Sequence, residues 1–386
     1  MHKPLAGIRV VELARVLAGP WAGQTLADLG AEVIKIERPS GDDTRQWGPP
    51  FVENGEGCSA AYFHSCNRGK RSITADLKTE RGQEIVRRLA ATADVLIENF
   101  KVGGLAKYGL DYRRLSSLNP RLVYCSITGF GQSGPYAHRA GYDFIIQGMS
   151  GIMDLTGEAD GQPQKMGMAF ADIFAGLYSV IAIQAALRQR QTTGEGQHID
   201  MALFDCMTGV LANQAQNFLA SGVSPKRMGN AHPNIVPYQV FDTSSGHIVI
   251  AVGNDGQFKR LCDVLKLEAL PDNPRFASNS ARLANRVELS ALIETETRRF
   301  DRDKLLTVLE EATVPAGPIN TVEEVFNDPQ FNYRGMEISP GGIPAIRTPI
   351  TMSKSDLDLD RPSPKLGQHT AEILEEIGMD TEDDPS

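Results

Sequence analysis

The chain has 386 residues, a net charge of −9, and 41% hydrophobic against 23% charged residues. That balance is globular, with room for two domains or one large α/β domain with an insertion. The acidic surplus argues against nucleic acid or a membrane surface as the main partner, while a few local arginines can still build an anion pocket. Five cysteines without a paired spacing, and a start (Met1-His-Lys-Pro-Leu-Ala-Gly7) without an apolar signal core, point to a reducing, cytoplasmic setting.

Ile8–Leu13 is rich in β-branched residues and reads as a buried strand. Pro20–Leu29 has helical spacing and ends at Gly30, and Ala31–Glu37 is a second strand. This strand–helix–strand unit is the building block of a parallel sheet. The pattern continues with a helix over Thr79–Thr92 and strands at Asp94–Glu98 and Arg121–Ser126. A long apolar helix follows at about Ile173–Arg190, then a strand at His198–Leu203 and a helical stretch through Leu219. The apolar run Ala169–Leu187 includes Asp172, Gly176, Ser179 and Gln184 and has no second such segment, so it reads as a buried core helix.

Texture changes at Ser221–Pro237. Beyond it Tyr238–Asp242 and His247–Val252 form a hairpin pattern across Ser244-Ser245-Gly246. Helical segments run to about Glu311, prolines recur through Pro349, and Thr370–Gly378 is amphipathic. The expected layout is a large Rossmann-like α/β domain with a parallel sheet (1–225), a smaller middle α+β domain (226–324), and a return to the large domain (325–386).

Gly129-Phe-Gly-Gln-Ser-Gly134 is a literal GxGxxG, but Pro135 follows it and no helix starts inside, so a pyrophosphate has no helix end to rest on. It reads as a close-approach loop. The second strand ends Glu37-Arg38-Pro39, which places Arg38 for a phosphorylated ribose, as in NADP or coenzyme A. Taken alone, a solvent-facing strand-end arginine is the commoner explanation. Asp172 opens the long apolar helix; it fits a helix cap, or a partly desolvated carboxylate poised as a covalent nucleophile. There is no GxSxG, HExxH, Walker or metal-ligand spacing, and His138 and His232 read as solvated loop histidines.

Taken in order, several blocks resemble the class III CoA-transferases (CaiB–BaiF) over about residues 5–375. They are Leu5–Leu13, Leu17-Ala-Gly-Pro20, Leu29–Glu37, Gly41-Asp-Asp-Thr-Arg45, Asn67–Ser72, Asp94–Phe100, the Gly129 loop through Gly141-Tyr-Asp143, the Asp172 segment, and Thr193-Gly-Glu-Gly-Gln197. The resemblance implies a homodimer of two subunits interlocked like chain links, and no prosthetic group, with coenzyme A as substrate. It implies that Asp172 carries an aspartyl-CoA thioester, reached and left through mixed anhydrides. The CoA contacts it implies are Val16, Leu17, Ala18, Arg38, Ala75, Asp76, Lys78, Asn99, Phe100, Lys107 and Tyr142. A family lysine just before the Tyr142 position is Ala140 here, and Arg139 is the substitute. The family's active-site glycine loop appears as Gly253-Asn-Asp-Gly-Gln257, with fewer glycines than the oxalate enzyme, so Gly253 and Gln257 are candidate substrate contacts and oxalate is disfavoured.

The runs Gly41–Phe51, Tyr124–Gly129 and Val236–Phe241 look most like the branch that uses succinyl-CoA with short dicarboxylates. Arg15, Arg45 or Arg71 could hold the distal carboxylate of such an acid. The α-methylacyl-CoA racemases share the first half, but their proton-transfer histidine is replaced by Tyr142, a poor shuttle at neutral pH. An NADP-dependent oxidoreductase or a non-catalytic acyl-CoA-binding protein would account for Arg38 but not for a carboxylate at a buried helix start.

Overall fold

A computed structural model describes residues 2–54 and 57–380. The chain divides into two compact units. One comprises Met1–Ile152, Lys165–Gly222 and Gln330–Ser386; the other comprises Met153–Gln164 and Val223–Pro329.

Six strands form the sheet of the first unit: β1 (Arg9–Glu12), β2 (Glu32–Glu37), β3 (Lys70–Thr74), β4 (Val95–Glu98), β5 (Val123–Thr128) and β6 (His198–Ala202). Their spatial order is 3-2-1-4-5-6 and every pairing is parallel. This is the doubly wound arrangement, in which the strand order reverses between β1 and β4 and opens a crevice at their carboxyl ends. Side chains alternate between two cores. Val10, Val33, Val95 and Cys125 face one with α1 (Ala18–Asp28). Val11, Ile34, Leu96 and Tyr124 face the other with α2 (Glu80–Thr92). Between β5 and β6 run α3 (Asp143–Met149) and α4 (Phe170–Thr193). Among the described residues α4 is the one helix long and apolar enough to cross a membrane. Its Ala171, Ala175, Ile183 and Ala186 are buried in the first core.

The strand β3 was not anticipated; it opens on two cations, Lys70 and Arg71. Both are buried. Lys70 Nζ donates to Glu12 (2.9 Å), Asn67 Oδ1 (2.8 Å) and the Pro20 carbonyl (2.9 Å). Glu12 also receives Lys35 Nζ at 3.1 Å, and Lys35 reaches Asp42 at 3.0 Å; none of the side chains of Glu12, Lys35, Lys70 and Asp42 is exposed. Burial alone would discharge Lys35, but Glu12, Asp42 and Glu37 outweigh it and hold its pKa above the ordinary value. The α1 helix lies directly on this cluster: a Cβ on Gly23 would stand 1.8 Å from Glu12 Oε2.

The C-terminal segment rejoins this unit through Arg68, which pairs with Asp28 (2.6 Å) and donates to the Ile346 carbonyl (3.0 Å). Its last helix, α5, is Thr370–Glu376. The second unit has a three-stranded antiparallel sheet, Ala316–Pro318, Gly246–Ala251 and Tyr238–Thr243, where the first of these was not anticipated. Phe241, Ile248, Phe258, Leu289 and Leu305 fill its core.

Replacing Lys35 by Met leaves Glu12 and Asp42 short of a buried cation, a loss of about 3–5 kcal/mol. Gly23→Ala overpacks the same cluster by about 1–3 kcal/mol. Thermal unfolding of both variants is expected at lower midpoints, with Val287→Ser, on an exposed surface position, unchanged.

Candidate active site

The reversal in strand order predicts where a ligand enters, and a cavity of about 220 Å³ lies there. Arg15, Arg38, Asp76, Lys78, Phe100 and Tyr108 are among its walls, and Ala75 also lines it. Asn99 fastens the rim: its Oδ1 accepts the Arg15 N–H (2.9 Å) and its Nδ2 donates to the Arg15 carbonyl (2.7 Å), tying the ends of β1 and β4 together. Arg38 Nε donates to the Gly41 carbonyl at 3.0 Å, and its guanidinium pairs with Asp43. Arg15 also pairs with Asp43, at 2.9 Å. Two half-exposed guanidiniums therefore converge on one carboxylate at the cavity, an arrangement an incoming phosphate can exploit. Lys107 lies beside it, with Nζ 4.6 Å from the ring centre of Tyr108.

Val16 precedes α1 with φ 70°, a left-handed conformation that disfavours a β-branched side chain. Asp42 holds it there by accepting the Val16 N–H at 3.3 Å. Leu17, the N-cap residue of α1, supplies no capping side chain, so the first N–H groups of the helix stay open to a ligand.

Asp172 lies in the first turn of α4, whose N-cap is Ala169; it is not itself the cap. The half-buried carboxylate has no hydrogen bond or ion pair among the described residues. Burial first, and the neighbouring charge of Asp143 second, push its pKa up to about 7. Asp143 is fixed where it stands: Oδ1 accepts the Ala171 N–H (2.8 Å) and Oδ2 accepts from Gln147 (2.8 Å). The Tyr62 phenol is pushed up to about 12 by burial and then by the charge of Asp172, and Trp47 packs edge-on against it with centroids 5.4 Å apart. Gly176 is one turn after Asp172 on the same face. A Cβ there would come 2.7 Å from the Ala18 carbonyl. The helix is thus seated on the start of α1, bringing Asp172 to the same end as the Val16–Ala18 turn.

The other residues singled out in the sequence do not line the cavity walled by Arg15 and Arg38. Arg45 is bound at both nitrogens by Glu37 (2.7 and 2.8 Å) and stacks on Phe63, and Arg71 is held by Glu32 (2.6 Å) and Glu376 (2.7 Å). Both guanidiniums are therefore already paired, and either would have to give up a carboxylate partner to hold an acid's distal carboxylate. Arg139 stacks on Tyr136 and Phe130. Tyr142, at the N-cap of α3, is 67% exposed. Gly253 and Gln257 are in the second unit, where the Gly253 N–H donates to Gln257 Oε1 at 2.7 Å. Tyr62 and Asp143 were not anticipated. Only the position of Asp143 next to a glycine-rich loop hinted at a role.

Because folding raises the Asp172 pKa, the native state holds that proton more tightly than the unfolded chain, and stability is lost as pH rises. Asp172→Asn is therefore expected to match the parent in thermal midpoint below about pH 4. Its advantage should grow toward pH 7 and stay constant above; an equal midpoint at pH 8 would contradict the burial of this charge.

The CoA-transferase family III model matches residues 5–370. The chain is 62% identical over 382 residues to the succinate–glutarate CoA-transferase of Agrobacterium fabrum, covering 97% of this chain and 96% of that protein. It is 43% identical to the human succinyl-CoA:glutarate CoA-transferase, covering 97% and 86%. A crystal structure of a CaiB/BaiF family protein from Brucella suis superposes with a TM-score of 0.90 at 66% identity, covering 98% of this chain and all of that one. With the doubly wound sheet and the crevice already in place, the conclusion is direct: the chain belongs to CoA-transferase family III and is an enzyme that transfers CoA.

Proposed function

We propose that this enzyme moves CoA between succinyl-CoA and a small dicarboxylic acid of the glutarate class, with Asp172 carrying the CoA thioester between half-reactions. The substrate choice is supported by the relatives named for succinyl-CoA and glutarate. The observation that carries the mechanism is the unpartnered, half-buried Asp172 carboxylate, one turn before the Gly176 that packs on the Ala18 carbonyl.

An Asp172 oxygen attacks the thioester carbonyl of the donor and expels CoA thiolate, forming a mixed anhydride. The thiolate attacks the Asp172 carbonyl carbon, releasing the donor as free acid and leaving the aspartyl-CoA thioester. The acceptor carboxylate then displaces the thiolate to form a second anhydride, and the thiolate captures the new acyl group, restoring the Asp172 carboxylate. Arg38, Arg15 and Lys78 are the cations for the CoA phosphates, displacing Asp43 from the guanidiniums. Ala75, Asp76, Asn99, Phe100, Lys107 and Tyr108 shape the adenosine end, and the open N–H groups at the start of α1 face the thioester oxygen. Trp47 and Tyr62 limit water at the anhydrides.

The working form is a homodimer. Large apolar side chains stand exposed along α3 and α4 (Phe144, Ile145, Leu177, Tyr178 and Ile181), a surface that a second copy would cover. The five free cysteines fit a reducing cytoplasm.

Initial rates with a panel of free acids should favour four- to six-carbon dicarboxylates; activity confined to monocarboxylates would contradict the substrate assignment. The rate should rise with pH through about 7 as Asp172 ionises. In Asp143→Asn that inflection is expected lower, yet still above an ordinary carboxylate, because burial rather than Asp143 is the larger cause.

A further inference from the structure

A second cavity, of about 200 Å³, lies beyond the end of β4 and beside β5 and β6. That is several times the ~30 Å³ share of one water in the liquid. Three polar side chains form one hydrogen-bonded row on its wall. The hydroxyl of Ser126, 2% exposed, lies 2.9 Å from His198 Nε2 and also bonds the Glu98 carboxyl. The imidazole is held by Tyr112, stacked at 5.1 Å, and Tyr124, edge-on at 5.5 Å. Ser126 sits in the middle of this row rather than at its open end, so it is a hydrogen-bonding hub and not an attacking group.

The remaining wall carries three side-chain donors without acceptors, Gln132, Lys101 and Arg113, beside one carboxylate, Asp111. Gln132 comes from the Gly129–Gly134 loop and is anchored by its own N–H on Asp200 Oδ2 at 2.9 Å. Its side-chain nitrogen is buried with no hydrogen-bond partner, which is costly unless a ligand supplies one. Lys101 and Arg113 also line the cavity, and neither forms an ion pair among the described residues. Asp111 on the same wall is already paired with Arg114 at 3.2 Å. We propose that this cavity is a second ligand site, apart from the acyl-transfer centre, that binds a small free carboxylate through Gln132, Lys101 and Arg113. The Glu98 carboxyl, pushed up to about 7 by burial, holds a proton often enough near neutral pH to meet a carboxylate oxygen with a hydrogen bond instead of a repulsion.

The test uses the full-length enzyme labelled at histidine Cε1, with the His198 resonance assigned by its loss in His198→Gln. Acetate, succinate and inorganic phosphate are each titrated at constant pH. The proposal expects a saturable His198 shift with the carboxylates and none with phosphate. Gln132→Leu and Arg113→Ala should each weaken that response by about tenfold or more, with CoA-transfer turnover unchanged as the check on folding. No saturable shift at the succinate concentration that saturates transfer overturns the site. An equal response to phosphate overturns the carboxylate assignment, and a response undiminished in both variants overturns the role of these donors.

Discussion

Everything at the catalytic end of the sheet leans on the buried cluster of Glu12, Lys35, Lys70 and Asp42. One glutamate at the end of β1 receives lysines from β2 and β3, and Lys35 passes the interaction on to Asp42. Buried charges of this kind add little net stability against an apolar alternative, but removing one partner is expensive. Their effect is therefore positional. Asp42 holds the N–H of Val16 and with it a left-handed turn that costs roughly 1–2 kcal/mol on its own. That turn delivers the start of α1 with open N–H groups to the place where α4 seats Asp172.

The same end of the molecule sets two carboxylates against each other. Asp143 caps the first turn of α4 through the Ala171 N–H and so has to stand near Asp172. The consequence is a carboxyl poised near neutrality, neither locked as an acid nor neutralised by a cation, which suits the covalent role proposed for it. Glu37 shows the opposite design. Burial works against its charge, but Arg45, Lys35 and the Ser72 hydroxyl hold it below the usual carboxylate range. It serves as a strut, and it holds Arg45 in a two-pronged pair.

The parallel sheet, β3 apart, was legible in the sequence because its strands are β-branched runs at regular spacing, and so was the place of Asp172 in the first turn of α4, because a charge at the head of so apolar a helix is conspicuous. What stayed hidden was pairing over distance. The strand at Lys70-Arg71 was missed because the partners of these cations, Glu12, Glu32 and Glu376, lie far off in the chain. Arg45 and Arg71 looked free for the same reason. After the GxGxxG, the next helix of seven residues or more starts only at Asp143. The first glycine of the motif serves backbone approach, since a Cβ on Gly129 would stand 2.5 Å from the Gly141 Cα.

The covalent role of Asp172 is the central claim, and intact-protein mass spectrometry after mixing with succinyl-CoA tests it most directly. The account predicts a CoA-sized adduct on the wild-type chain, absent from Asp172→Ala. An adduct that persists in the variant, or turnover in the wild type with no adduct under single-turnover conditions, would contradict it.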